Sequence, residues 1–351
     1  MNELREQFAE AIKQAASRRR PVRIRGSGSK DFYGGPPRGE VLDTTRFTGV
    51  VDYAPEELVI TARAGTPLTE IEAVLAEHGQ MLPFEPPHFG PRATLGGCVA
   101  SGLSGPRRPY AGAVRDFVLG VVVMDGRGDV LRFGGQVMKN VAGYDVSRLV
   151  TGSLGTLALI LEVSLKVLPR PAAELTLQLE MDETEAVKRM NRWAGEPLPI
   201  SATCYHDHVL SVRLSGAEAA VRAARQRLGG QLLSAGEEFW RGIREHTANF
   251  FRDPRSLWRV SLPSTASFDV PGRQLVEWGG ALRWLFTDEG AAGVRAAARA
   301  AGGHATLFRS VRKDVPVFEP LPPALLALHR RVKQVFDPQG IFNPGRLYPE
   351  F

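Results

Sequence analysis

The sequence predicts an α+β protein of two domains, and three observations lead to that prediction. The chain has 351 residues, which is long enough for two hydrophobic cores. Segments with strand-like and helix-like spacing alternate along it. Pro169 and Pro171 interrupt this alternation near the middle of the chain. We therefore expect a first domain at 1–169, a second at 170–320, and a C-terminal helix and tail at 321–351.

The elements of the first half follow from apolar spacing and from residues that start or stop helices. Leu4, Phe8 and Ile12 lie on one face of a helix, and Thr66 and Gly79 are typical of the cap and the end of another. The elements expected before Pro169 are helix 3–17, strands 21–25 and 57–63, helix 66–79, a hairpin at 117–133 and strand 159–167.

The second half has a different pattern of predicted elements, in which strand–helix–strand units follow one another. Such units favour an antiparallel, ferredoxin-like α+β sandwich. The expected elements are strand 174–180, helix 182–194, strands 200–207 and 208–216, helix 217–228, strands 256–263 and 281–286, helix 291–302 and strand 304–310.

Charge and cysteine content exclude several classes of protein. The formal net charge of +6 favours anionic ligands, an acidic partner or a membrane surface, but no basic stripe interleaved with aromatic residues indicates nucleic-acid binding. Two cysteines, Cys98 and Cys204, are too few for a four-cysteine zinc or iron–sulfur site. The N-terminus does not resemble a signal peptide and the apolar runs are short. We expect a cytoplasmic protein whose membrane association is at most peripheral.

A glycine-rich turn in the stretch "RIRGSGSKDFYGG" (23–35) suggests a phosphate site, because successive backbone N–H groups can point at one anion. It does not fit a dinucleotide fingerprint, since position 31 is Asp and the following "FYGGPPRG" cannot form a helix. Two further segments rich in small residues, 91–108 and 152–160, lie in the same half. One large ligand threading between them explains all three; the alternative is loops shaped only for tight packing.

Five motifs taken together resemble the PCMH-type FAD-linked oxidases of the vanillyl-alcohol-oxidase type. They are "RGSGSK", "ATLGGCVASGLSG", "QVMKNVAGYDVSRLV", "GSLGTLALILEVSLKV" and "FDPQGIFNPGR". The resemblance covers residues 25–167 and returns at 336–346. It implies a PCMH-type FAD-binding domain, a second domain that covers the substrate, and a tail that packs back near the flavin.

The resemblance also implies which residues contact FAD. The first loop binds the pyrophosphate, the second segment lines the pyrophosphate and the flavin ring, the third contacts the adenosine end, and the tail asparagine lies near the isoalloxazine. The implied residues are Gly26, Ser27, Gly28, Ser29 and Lys30; Thr94, Leu95, Gly96, Gly97, Ser101 and Gly102; Gly155, Leu159 and Ile160; and Asn343. Some relatives attach FAD through a first-loop histidine, which this chain lacks, and Cys98 has the small neighbours of a buried thiol. We therefore expect non-covalent FAD.

The substrate site is much less visible in the sequence. Hydroxyacid-oxidising relatives carry a motif like H-x-G-D-G-N-x-H, and this chain has none. The resemblance makes His304 a candidate proton acceptor and Arg309 a candidate carboxylate ligand. The "HDH" at 206–208 offers two imidazoles, which begin a zinc site only if the strand continues; otherwise it is a polar turn. We predict no metal.

The function implied by the resemblance is that of an FAD-binding subunit in a glycolate-oxidising (D-2-hydroxyacid dehydrogenase) complex. A second FAD-linked oxidase subunit would carry most of the hydroxyacid chemistry, and an iron–sulfur subunit would pass electrons to quinones. Two alternatives stay open: a self-sufficient FAD-dependent dehydrogenase of another alcohol or hydroxyacid, or a scaffold that holds FAD without catalysis.

Overall fold

The computed structural model describes residues 1–135 and 144–351. The helices of these residues are α1 (Asn2–Arg18), α2 (Leu68–Glu77), α3 (Leu95–Ser101), α4 (Arg108–Ala111), α5 (Val114–Phe117), α6 (Val146–Val150), α7 (Glu183–Ala194), α8 (Glu218–Leu228), α9 (Gly236–Arg244), α10 (Ala291–Ala300) and α11 (Pro323–Phe336). None of them is long and apolar enough to cross a membrane.

The strands of the described residues belong to four sheets, of which two are large. The strands are β1 (Val22–Arg25), β2 (Glu40–Asp43), β3 (Val50–Ala54), β4 (Val59–Arg63), β5 (Gln80–Met81), β6 (Val118–Met124), β7 (Val130–Gly134), β8 (Leu159–Lys166), β9 (Leu168–Pro169), β10 (Ala173–Glu180), β11 (Ile200–His206), β12 (Val209–Gly216), β13 (Gln231–Leu232), β14 (Leu257–Ser261), β15 (Arg273–Glu277), β16 (Leu282–Phe286) and β17 (His304–Arg309). The two large sheets do not share strands: one draws them from 50–134 and 159–166, the other from 173–309.

The first large sheet has five antiparallel strands in the order β3-β4-β8-β6-β7. Its central strands are rich in β-branched residues, and β8 shows the predicted alternation of buried and partly buried positions. Helices α2 and α3 cover one face and bury Leu68, Ile71 and Val99 against it. The α2 helix has Pro67 at its cap position, so the prediction of Thr66 was wrong by one residue. The Thr66 hydroxyl instead accepts a hydrogen bond from Gly49 N.

The second large sheet is antiparallel throughout, with the order β13-β10-β12-β11-β15-β16-β14-β17. Helices α7, α8 and α10 cover parts of one face with apolar side chains such as Met190, Val221 and Val294. The opposite face, called the inner face here, presents Trp284, Phe286 and neighbouring side chains to the first domain's Tyr33, Leu103 and Leu154 in a shared apolar cluster. The two domains therefore meet across an aromatic-rich core.

The C-terminal tail returns to the first domain through a buried lysine. Lys333 Nζ donates to Thr156 O (2.7 Å), Phe342 O (3.0 Å) and Asp337 Oδ2 (2.7 Å). Asp337 also accepts hydrogen bonds from the backbone N–H groups of Ile341 and Phe342. The tail then runs beside β1, where Val22 N donates to Ile341 O. This network fixes the end of the chain against the glycine-rich loops.

Replacement of Lys333 by Met is expected to lower the free energy of unfolding by about 3–5 kcal/mol, because it leaves the carboxylate of Asp337 buried without its cation. Urea unfolding followed by circular dichroism measures this change. The control is Lys188→Met on the exposed side of α7, where about 0.5 kcal/mol or less is expected. Equal effects of the two substitutions would contradict the assigned role of Lys333.

Candidate functional site

The first glycine-rich segment forms a turn after β1 that has no room for side chains at two positions. A Cβ atom at Gly26 would lie 2.4 Å from Thr94 Oγ1. Gly28 has a φ of +80°, a conformation that L-residues rarely adopt. The backbone of this turn is consequently bare toward the space in front of it, as a phosphate site requires.

This turn borders a cavity of about 570 Å³, called the loop cleft here. Its charged lining consists of Arg23, Arg25, Lys30 and Arg346 against the single carboxylate of Asp31. Asp31 Oδ2 accepts hydrogen bonds from Arg23 Nη2 (2.6 Å) and Arg25 Nε (2.9 Å). Burial lowers the pKa of Lys30, whose Nζ donates to His88 O. The excess of cations suits a diphosphate.

The second glycine-rich segment contains a helix, α3, where the sequence suggested a loop. The Thr94 side chain caps it by accepting a hydrogen bond from Gly97 N (3.3 Å). A Cβ at Gly96 would lie 2.7 Å from Ala64 Cβ, so glycine allows α3 to pack closely on β4. Small residues here serve helix packing, and the first turn of α3 still borders the loop cleft through Thr94 and Gly97.

A second cavity of about 380 Å³ adjoins the loop cleft and shares Gly26, Gly97 and Asn343 with it. Its walls are mostly small and apolar, including Ala64, Ala158 and other side chains of the first sheet. We call it the apolar cleft. Such walls suit a flat ring, whereas the cationic loop cleft suits phosphates.

Thirteen of the fifteen predicted cofactor residues line one of these two clefts. Gly155, Leu159 and Ile160, of the third segment, lie in the apolar cleft. Leu95 and Gly102 line neither: Leu95 is fully buried in the core, and Gly102 ends α3 with a φ of +66° against Gly152.

Asn343 lines both clefts, but its amide groups are occupied by backbone. Its Oδ1 accepts a hydrogen bond from Ile24 N (2.8 Å), and its Nδ2 donates to Leu154 O. The residue is 5% exposed. It therefore ties β1 to the third glycine-rich segment and sets the separation of the cleft walls.

Cys98 cannot act as a nucleophile at neutral pH. It is buried in α3, and burial raises the pKa of its thiol to about 12. Only the thiolate is reactive. With Ser29 and Lys30 at the first-loop position, this supports our expectation that the cofactor is not covalently attached.

The predicted catalytic residues His304 and Arg309 both lie on the inner face, at opposite ends of β17. His304 is opposite Ser261, and burial lowers its pKa, with a further contribution from Arg259. The Arg309 guanidinium lies over the Phe32 ring, 4.9 Å from its centroid. Five residues of strand separate the two by about 16 Å, so the structure does not bring them together.

Two buried polar groups on this side of the second domain were missed by sequence reasoning. Glu277 Oε2 accepts a hydrogen bond from Trp284 Nε1 (2.7 Å), while its Oε1 has no hydrogen-bond partner among the described residues. Burial raises the pKa of Glu277 to about 7. His246 packs parallel to Phe251 at 3.9 Å, and burial holds its pKa well below the usual value. The only sequence signal was an acidic residue ending the apolar run "LVE".

The "HDH" segment forms a hairpin turn between β11 and β12. Asp207 and His208 have φ values of +52° and +62°, and His206 Nδ1 is 3.0 Å from Gln274 O. The structure therefore has the polar turn, and the condition for a zinc site, a strand that continues through 206–208, is not met. In the ranges 1–135 and 144–351, no group of three or more His, Cys, Asp or Glu side chains is placed to hold a metal. Most of the motif "KNVAGYD" (139–145) lies outside these ranges.

Comparison with known proteins is consistent with this architecture. Residues 3–134 match the "FAD binding domain" family model, and residues 317–347 match the C-terminal domain of FAD-linked oxidases. The chain is 52% identical over 342 residues to glycolate oxidase subunit GlcE of Escherichia coli (strain K12), covering 97% of this chain and 96% of the relative. It is 33% identical over 159 residues to glycolate oxidase subunit GlcD of Bacillus subtilis (strain 168), covering 45% of this chain and 34% of that one.

A solved structure confirms the fold. Alkyldihydroxyacetonephosphate synthase superposes with a TM-score of 0.66 at 16% identity, covering 97% of this chain and 74% of that one. The predicted α+β fold with a PCMH-type FAD-binding domain is confirmed, and so is FAD as the cofactor. The bare glycine turn, the cationic loop cleft and the adjoining apolar cleft fit this cofactor.

Replacement of Gly26 by Val is expected to weaken FAD binding at least tenfold, because the new side chain displaces Thr94 and covers the bare backbone of the turn. Titration of the chain with FAD, followed by flavin fluorescence, gives the affinity, and the unfolding temperature reports whether the change stays local. Gly290→Ala is the matched control, since a Cβ there meets nothing within 4 Å. Unchanged affinity in a folded Gly26→Val protein would contradict the location of the phosphate site.

Replacement of Glu277 by Gln is expected to raise the unfolding temperature by several degrees at pH 8 and hardly at all at pH 5. The pKa of this carboxyl rises from 4.5 to about 7 on folding, so its protonated form stabilises the folded protein. This contribution to the free energy of unfolding is fully present below pH 4.5 and is lost as the pH rises through 7. Thermal unfolding at both pH values measures the difference. The control is Glu218→Gln at an exposed position. A difference in unfolding temperature between Glu277→Gln and the parent that stays the same at both pH values would contradict a buried Glu277 that titrates near pH 7.

Proposed function

Because the chain belongs to the family of FAD-linked oxidases that includes glycolate oxidase subunit GlcE, we propose that it is the FAD-binding subunit of a glycolate oxidase (D-2-hydroxyacid dehydrogenase) complex. In this role it takes part in the oxidation of glycolate to glyoxylate. The observation that carries the proposal is the 52% identity over nearly the full length of both chains. The cationic loop cleft beside an apolar cleft supports it independently.

FAD bound in these clefts supplies an acceptor for the two electrons that leave the hydroxyacid. The first-loop backbone, with Arg23 and Arg25 beside it, would hold the diphosphate of FAD. Burial lowers the pKa of His304, so its imidazole is neutral at physiological pH and has a nitrogen free of a proton. Because it lies on the inner face opposite Ser261, we assign it the role of accepting the hydroxyl proton.

The proposal requires partner chains. Both cysteines, Cys98 and Cys204, are buried, and two thiols are fewer than an iron–sulfur cluster needs. We assign the cluster to an iron–sulfur subunit that passes electrons to quinones, and most of the hydroxyacid chemistry to a second FAD-linked subunit. The chain lies on the cytoplasmic side and meets the membrane only through these partners.

One observation favours the alternative that this chain oxidises a hydroxyacid by itself. The inner face carries the polar side chains of Arg259, Thr306 and His304 in adjacent register positions. A scaffold that only holds FAD has no need of them.

The purified chain loaded with FAD is expected to keep its flavin absorbance near 450 nm when anaerobic glycolate is added, and to lose it when the partner subunits are present. Absorbance spectroscopy before and after glycolate makes the measurement, with acetate, which lacks the hydroxyl group, as the control. Bleaching of the isolated chain would favour the self-sufficient dehydrogenase. A flavin that persists in an active complex would favour the scaffold.

A further inference from the structure

Two arginines from different domains lie over the same tryptophan ring. The Arg108 guanidinium carbon is 4.3 Å from the centroid of the Trp278 ring, and that of Arg259 is 5.2 Å from it. The two guanidinium carbons are therefore within about 9.5 Å of each other. Arg108 ends the second glycine-rich segment and begins α4, whereas Arg259 lies in β14 of the second sheet.

Neither guanidinium forms an ion pair or hydrogen bond with any side chain that the structure describes, although both are half-buried. Four buried arginines have such partners: Arg107 and Arg213 contact Glu85, Arg283 contacts Glu183, and Arg295 contacts Glu319. Arg309, half-buried over the Phe32 ring, resembles the pair in having none. A charge partly removed from water without a partner is costly, and among the described residues only Arg108 and Arg259 carry two such charges on one ring.

The groups around the two arginines do not neutralise them. Burial lowers the pKa of Arg108, and the charges of Arg259 and Arg115 lower it further, while Asp116 opposes them. Glu277 is close enough to interact with Arg259, but burial raises the pKa of this carboxyl to about 7. The net charge around the two arginines is therefore positive at neutral pH.

The tryptophan ring that both arginines contact is held rigidly. Trp278 is 6% exposed, and its Nε1 donates to Gly105 O (3.2 Å), which belongs to the second glycine-rich segment. Its φ of +55° is rare for a bulky residue and indicates backbone strain that the surroundings maintain. The contact fixes the second domain against the segment from which Arg108 extends.

Hydroxyl and imidazole groups lie beside Arg259 on the inner face. Thr306 is directly opposite Arg259 in the sheet, and Ser261 and His304 form the next pair on the same face. These groups can donate hydrogen bonds to the polar part of a small molecule, or accept them from it, while a guanidinium binds the carboxylate of that molecule.

We propose that Arg108 and Arg259 form a site for a small monocarboxylate between the two domains, and that the bound anion holds the domains together. The identity of the bound anion rests on the proposed function in one respect, because the 2-hydroxyacid of that function is a small monocarboxylate. A planar carboxylate matches the hydrogen-bonding fork of arginine. The anion also relieves the repulsion between the two cations, so binding couples to the packing of Trp278 between the domains.

The test uses the FAD-loaded full chain and acetate, which has the carboxylate but nothing to oxidise. We expect a saturable rise in unfolding temperature with acetate and none with acetamide, its neutral analogue. Arg108→Gln and Arg259→Gln should each weaken acetate binding at least tenfold, with an unfolding temperature in the absence of anion equal to or above that of the parent. Arg222→Gln, an exposed arginine on α8, is the matched control and should respond to acetate like the parent.

Arg259→Lys provides a second variant if a glutamine variant does not fold, because it keeps the charge and loses the fork; it too should bind acetate more weakly. An acetate response that survives in these variants, or an equal response to acetamide, would overturn the site. Failure of the proposed function looks different: glycolate would then leave the flavin of the assembled complex oxidised while acetate binding still depended on the two arginines.

Discussion

The ammonium group of Lys333 is the contact on which the geometry of the cofactor clefts depends. It joins three parts of the chain: α11, the third glycine-rich segment through Thr156 O, and the tail through Phe342 O and Asp337. Only with the tail in this position can Asn343 bridge Ile24 N and Leu154 O. The clefts are thus assembled from loops that local interactions alone would not hold at a fixed separation, and a buried ion pair supplies the constraint.

The phosphate turn could be predicted from the sequence because its signal is local. Glycine at positions 26 and 28, the absence of a following helix and a surplus of cations are all visible in a dozen residues. The α3 helix could not be predicted in the same way. Gly96 and Gly97 have low helix propensity, and the helix depends on the Thr94 cap and on close packing against Ala64. Asn343 likewise lies 319 residues from the N–H it binds, a contact that only the tertiary fold creates.

In the second domain, too, the polar groups of the inner face could not be found from local sequence alone. The strand "SLWRVSLP" was expected, yet nothing in its alternation separates Arg259 from an ordinary exposed arginine. The sheet register decides: Arg259 is opposite Trp284 and Thr306, so its side chain lies on the inner face, which meets the first domain. Long-range strand pairing is needed to place it, and for that reason His304 could be proposed from resemblance while Arg259, Glu277 and His246 were missed.

The two cationic regions of the molecule differ in how their charge is balanced, and this difference separates a cofactor site from a substrate site. In the loop cleft, Arg23 and Arg25 share Asp31, which holds their side chains in place beside the turn whether or not a diphosphate is present. Such preorganisation suits a ligand that stays bound. Arg108 and Arg259 have no carboxylate partner among the described residues and share only the contact with the Trp278 ring. A site whose charge is left unbalanced is destabilised when it is empty, so a bound anion stabilises the contact between the domains. A resident flavin on one side of the interface and an exchanging carboxylate on the other is the arrangement that a hydroxyacid dehydrogenase needs.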